Sequence, residues 1–153
     1  MNATSLYRIS HWLYTHKIPL LPKLFRNIIF LMFNSYIPPS AQIGNGTVFA
    51  YGAIGVVLHA NCKIGENCVI GQGVTVGAKE GFFSKDIHRS PEIGNNCYIA
   101  AGAKILGGIV VGNNCIIGAG SIVVANIPDN SVVVGSPGKV IHKTKADYLA
   151  IRC

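Results

Sequence analysis

The sequence predicts an all-β solenoid, a parallel β-helix, and three observations carry that prediction. The first is a six-residue recurrence, clearest in Leu58 to Thr75, where units begin at Leu58, Ile64 and Ile70. The second is the content of each unit. An aliphatic residue opens it, Asn or Gly stands fourth (Asn61, Asn67, Gly73), and a small or β-branched residue stands fifth (Cys62, Cys68, Val74). Neither the two-residue period of a strand nor the 3.6-residue period of a helix fits, so the pattern is an internal repeat. The third is composition: half of the 153 residues are hydrophobic, 12% are charged and 18 are glycine. A dry core with glycine-marked corners accounts for these figures.

The frame extends in both directions. Units begin at Ile37 and Ile43, then at Ile93, Ile99, Ile105, Val111, Ile117 and Val123. Their fourth positions include Gly46, Asn96, Gly102, Gly108, Asn114, Gly120 and Asn126, and Lys79 is the exception. Gly and Asn tolerate φ > 0, so every unit is expected to turn a corner there. Three strands and three corners make a triangular coil of eighteen residues. Coils stack at the spacing of hydrogen-bonded strands, about 4.8 Å.

Residues 1–36 are a separate segment. LYRISHWLYTHK and LPKLFRNIIFLMFNSY read as two short helices separated by Pro19 and Pro22. The apolar run comes late and no small-residue cleavage site follows it, so no signal peptide is expected. Leu24 to Phe33 is too short to span a bilayer and contains Arg26. Two roles are open for this segment. It covers the first coil or a subunit contact, or it rests as a basic amphipathic patch on the inner membrane face. The β-helix is expected over 37–141 with a loop extruded over 78–91, followed by a C-terminal tail, 142–153, with a short helix.

Composition narrows the function. Thirteen Lys and Arg against six Asp and Glu give a net charge of +7. No basic stripe interleaved with aromatics is present, which argues against nucleic acid as a partner. The excess lies in the N-terminal segment, in the loop from Lys79 to Arg89 and in the tail from Lys139, and it suits a small anionic partner. Cys62, Cys68, Cys97 and Cys115 all fall on inward fifth positions and read as small core residues in a reducing cytoplasm. No CxxC or Cys/His cluster suggests a metal.

Function concentrates where a repeat is broken. Three extra residues fall between Phe49 and Val57, which makes Tyr51 a candidate substrate-binding residue. About eleven residues leave the coil before Ile93, within AKEGFFSKDIHRSP, and this loop holds His88. His59 occupies the second position of its unit, where most other units have Gly, and should face outward with Gly77 directly above it. The extruded loop therefore starts over His59 and could bring His88 close. Moving an acyl group to an alcohol needs a base for the hydroxyl proton, and an imidazole suits that at neutral pH. His59 and His88 are the candidate catalytic residues. His11, His16 and His142 read as ordinary surface histidines.

The motifs IGENCVIGQGVTVG, IGNNCYIAAGAKILGG, VGNNCIIGAGSIVV and VVGSPGKVI resemble the hexapeptide-repeat acyltransferases. Within them the chain most resembles the serine acetyltransferase group and its short, polysaccharide-associated relatives that O-acetylate sugars. The resemblance implies a left-handed coil, a homotrimer, a cytoplasmic location and acetyl-CoA as co-substrate, with no metal. It implies that the pantetheine arm runs past Ala101 and Ala119, which lie eighteen residues apart, and that Lys139 lies near the coenzyme phosphates. Three positions depart from the serine acetyltransferase pattern. Gly52 and Ser90 stand where the two catalytic histidines are expected, and Tyr36 stands where an acidic residue is expected. These departures point to a sugar of a surface glycan, or its precursor, as acceptor. L-Serine is the second candidate, and a catalytically silent scaffold subunit is a reading of another class.

Overall fold

A computed structural model of the chain describes residues 2–78 and 89–142. Two helices come first. α1 (Ala3–Thr15) begins at Asn2, whose Oδ1 accepts the Ser5 N–H at 2.9 Å. In α2 (Leu21–Phe33), Pro22 sits in the first turn, where a missing N–H costs no hydrogen bond. Pro22 therefore opens the second helix and does not separate the two. Among the described residues no helix is long and apolar enough to cross a membrane.

Four coils follow. The first carries β1 (Gln42–Ile43), β2 (Val48–Phe49) and β3 (Val57–Leu58). The second carries β4 (Lys63–Ile64), β5 (Val69–Ile70) and β6 (Thr75–Gly77). The third has β7 (Glu92–Ile93), β8 (Tyr98–Ile99) and β9 (Lys104–Leu106), and the fourth β10 (Val110–Val111), β11 (Ile116–Ile117) and β12 (Ile122–Val123). β13 (Val132–Val134) and β14 (Lys139–His142) end the described chain. The strands stack into three parallel sheets, β1-β4-β7-β10, β2-β5-β8-β11-β13 and β3-β6-β9-β12, and β14 is added antiparallel to β13. The structure is thus a parallel β-helix with a short N-terminal helical part. The expected C-terminal helix lies outside the described residues.

Register follows the six-residue frame. Ile43, Ile64, Ile93 and Val111 align in one column, and Leu58, Val76, Ile105 and Val123 in another. The third column is Phe49, Ile70, Ile99, Ile117 and Val133. All of them are buried. Each such side chain contributes roughly 1.5–3 kcal/mol through burial, so the columns are the core.

Glycine serves two distinct purposes at the corners. A Cβ on Gly44, Gly65 or Gly94 would come within 2.6–2.8 Å of backbone in the next coil, so stacking leaves no room there. At Gly102 space is open, with nothing nearer than 4.0 Å, but φ is +69° and the backbone itself selects glycine. Positive φ holds as expected at Gly46, Asn67, Gly73, Asn96, Gly102, Asn114 and Gly120. It does not hold at Asn61, Gly108 and Asn126, which share the corner after the third sheet. There Asn61 and Asn126 take part in hydrogen bonds. Cys62 N–H closes a tight turn onto His59 O at 3.2 Å, and Asn126 Oδ1 accepts the Val110 N–H at 2.9 Å.

The four cysteines among the described residues, Cys62, Cys68, Cys97 and Cys115, are free, buried thiols. Three belong to a ladder of small donors that satisfy corner carbonyls of a neighbouring coil. Thr47 Oγ1 donates to Gly65 O at 2.7 Å, and the thiols of Cys68, Cys97 and Cys115 donate to Gly94, Gly112 and Pro128 carbonyls at 3.1–3.2 Å. Burial pushes the Cys62 thiol up to about 12. At the open end of the first coil, the buried Tyr7 hydroxyl donates to Ala41 O at 2.5 Å, and Arg8 donates to the Ile43 and Gly44 carbonyls. Burial pushes the Tyr7 phenol up to about 12, so it remains a donor.

Two outcomes test this architecture. Asn67→Val and Gly102→Val each put a β-branched residue at positive φ and should cost about 1–3 kcal/mol in denaturant unfolding. An unchanged midpoint in both would refute the corner assignment. Cys97 and Cys115 should resist a thiol reagent in the native protein and react on unfolding. Rapid labelling of both in the native state would place them outside the core.

Candidate active site

His59 follows β3 at the corner where positive φ is absent. Its N–H donates to Val76 O at 2.7 Å, which stacks it on the coil above, and Leu58–Val76 pairing puts Gly77 over it as expected. The side chain is half-buried and lines a cavity of about 640 Å³ with Tyr36, Val57, Ala60, Thr75 and Gly77. Tyr36 enters this cavity because it bridges to Val57, with Leu58 N–H donating to its carbonyl at 2.9 Å.

The Asn61 N–H donates to His59 Nδ1 at 3.2 Å. With the ring neutral, that contact leaves the proton on Nε2. The second break in the repeat closes beside the same corner. Ser90 Oγ donates to Asn61 O at 2.6 Å and Lys63 N–H donates to Pro91 O at 3.2 Å. Both stems of the extruded loop, at Gly77 and at Ser90, thus bracket His59. His88 lies outside the described residues.

The second position proves less unusual at His59 than its sequence context suggests. In its own column the residues above are Gly77, Leu106 and Val124, and a Cβ on Gly77 would make only ordinary contact, 3.7 Å from Leu106. This corner accepts side chains in every coil, unlike the Gly44 column. What distinguishes His59 is the cavity and the loop stems.

The other candidate residues lie apart from this cavity. Tyr51 is 77% exposed, within a turn over Ala50–Ala53 where Tyr51, Gly52 and Ala53 all have positive φ. The turn is held by Ser35, whose hydroxyl donates to Ala53 O. Ala101 and Ala119 stand one above the other, with Gly120 N–H donating to Ala101 O at 2.9 Å, at the corner leading into the third sheet. Lys139 is exposed on β14. Sequence reasoning did not single out Thr75 or Ala60 for the site, took Asn61 only as a corner residue, and pointed to Ser90 through the break before Ile93 and the family resemblance.

Comparison with known proteins adds to the geometry. A family model described as bacterial transferase hexapeptide (six repeats) matches residues 90–125. A serine acetyltransferase of Synechococcus elongatus is 39% identical over 143 residues, covering 94% of this chain and 57% of that protein. A serine acetyltransferase structure from Brucella abortus in complex with coenzyme A superposes with a TM-score of 0.84 at 35% identity, over 93% of this chain and 55% of that one. One from Neisseria gonorrhoeae in complex with serine gives 0.81 at 35% identity, over 92% and 55%. The chain thus spans little more than half the length of these relatives. The likeness implies the left-handed winding of their β-helices.

These matches correct the expected acceptor. Proteins similar over nearly the whole chain are serine acetyltransferases, and one of their structures holds serine, so a surface-glycan sugar and a place in polysaccharide biosynthesis are set aside. The physical reason is that Gly52, Ser90 and Tyr36 concern where a base and its partner stand. Where the base stands does not by itself decide which hydroxyl compound is acetylated.

Proposed function

The chain belongs to the hexapeptide-repeat acyltransferases, in their serine acetyltransferase-like group, and from that premise we propose that it is an acetyl-CoA-dependent serine O-acetyltransferase. What carries the reading is His59, set in a cavity between the two stems of the extruded loop. The serine hydroxyl oxygen attacks the acetyl carbonyl, the C–S bond breaks, and the hydroxyl proton passes through His59 to the departing thiolate. For Nε2 to accept that proton, the ring must carry its own proton on Nδ1 and release the Asn61 N–H. That hydrogen bond is long at 3.2 Å, and giving it up costs about 1 kcal/mol. General-base catalysis contributes roughly 10²–10⁴-fold, worth several times as much. The cost is therefore compatible with His59 as base, and His88 fits the role of acceptor-orienting residue.

The small side chains of Ala101 and Ala119 suit a pantetheine arm whose amides bond to the coil backbone, and Lys139 suits the coenzyme phosphates. A homotrimer would complete that groove with a neighbouring subunit. The free thiols in the core fit a reducing cytoplasm.

Two measurements test the reading. L-Serine should drive CoA release from acetyl-CoA, and His59→Ala should lower kcat by roughly 10²–10⁴-fold with the acetyl-CoA KM little changed. A folded His59→Ala protein with near-normal kcat would put the base elsewhere. Lys139→Ala should show the reverse pattern, a raised acetyl-CoA KM at nearly constant kcat.

A further inference from the structure

The two N-terminal helices divide their work. α1 buries Ala3, Leu6, Tyr7, Ser10 and Leu13, and holds the lowest rung of the coil through Tyr7 and Arg8. α2 is far more apolar, with Leu, Ile, Phe or Met at nine of its thirteen positions. Of those nine, only Ile29 is buried. Phe25, Ile28 and Phe33 pack partly against the core. Leu21, Leu24, Phe30, Leu31 and Met32 stay exposed, Leu31 at 81%, and so does Leu20 at the N-cap, at 78%.

A helix apolar on nearly every side is ordinarily enclosed, by a core or by lipid. α2 is enclosed on one side only. At 3.6 residues per turn, Leu24 and Leu31 fall on one line, roughly opposite Ile29, and Leu21 and Met32 widen that line into a stripe. Thirteen residues are too few to cross a bilayer, so lipid could cover the stripe only with the helix lying in the plane of the membrane surface.

Charge decides between the occupants. Arg8, Lys17, Lys23 and Arg26 fall within the first 36 residues, while the six acidic residues of the chain all stand at Glu66 or beyond. Lys17 and Lys23 are exposed around the start of α2, and Arg26 turns back over the Tyr36 ring, 5.5 Å from its centroid. A second copy laid on this stripe would bring the segment against its own like charge, with no carboxylate of the segment to offset it. An anionic bilayer surface is complementary in both respects. Its acyl region takes leucine side chains and its headgroups take lysines. Trp12 and Tyr14 of α1 are exposed as well, and such rings settle at headgroup depth.

We infer that α2 is a docking surface for an anionic lipid bilayer, with Leu21, Leu24, Leu31 and Met32 set toward the acyl chains and Lys17 and Lys23 among the headgroups. The coil is then carried at a membrane surface while α1 keeps its lowest rung covered. A homotrimer would present three such helices on the same side of its axis, and their contacts would reinforce one another.

Vesicle flotation of the intact protein, without serine or acetyl-CoA, tests this. The protein should float with phosphatidylcholine vesicles that contain phosphatidylglycerol, and salt should release it. Vesicles of phosphatidylcholine alone should bind it about tenfold or more weakly. Leu24→Ser with Leu31→Ser should lower binding to the anionic vesicles about tenfold or more, and Lys17→Gln with Lys23→Gln should do the same. All four side chains are exposed, so both variants should remain folded. No flotation with either vesicle, equal binding to the two, or undiminished binding by either variant would overturn the lipid surface. So would a wild-type protein that sediments as a larger assembly than the Leu24→Ser, Leu31→Ser variant, because a second copy would then cover the stripe.

Discussion

The distance between stacked coils governs this molecule. Strand hydrogen bonding fixes it near 4.8 Å, and every column of side chains has to repeat within it. The inward columns become near-uniform Ile, Val and Leu because an aliphatic side chain fills one coil height without leaving a void. The same spacing excludes a Cβ at Gly44, Gly65 and Gly94, where the backbone of the next coil occupies its place. At the Thr47–Cys115 corner it sets a carbonyl within reach of a small donor one coil away, so a hydroxyl or a thiol serves equally there.

A coil so constrained has little freedom for chemistry, and variation gathers where the spacing rule lapses. The corner at His59 is one such place. Its column accepts Leu106 and Val124 above, its turn closes without positive φ, and the six-residue frame is interrupted between Gly77 and Ser90. The two loop stems and Tyr36 give the corner walls, which a bare solenoid face lacks. The helices add Lys23 and Arg26 beside the first coil.

Much of the fold was legible because a six-residue period has one structural solution. The columns, the buried cysteines and most positive-φ corners followed from counting. Asn61 and Gly108 were misjudged because Asn and Gly also serve turns at negative φ, and composition does not separate the two uses. His59 was singled out by a comparison with the wrong column, and the cavity it lines is the better reason to propose it. The acceptor was misread because the departures at Gly52, Ser90 and Tyr36 concern the position of the base and its partner, which does not by itself identify the molecule acetylated. Arg26 over Tyr36 was hidden entirely, since the contact joins a helix to a bridge residue and leaves no periodic trace.

Tyr7 and Arg8 place their donors on the carbonyls of Ala41, Ile43 and Gly44, on the lowest rung of the coil. At the opposite end β14 runs against β13 and reverses the direction of the ladder. Each end of a bare solenoid is a template onto which another chain's coil could dock in register, building a fibre. A guanidinium at one terminus and an antiparallel strand at the other remove both templates. The column can therefore be as regular as its packing demands without leaving these two rungs bare.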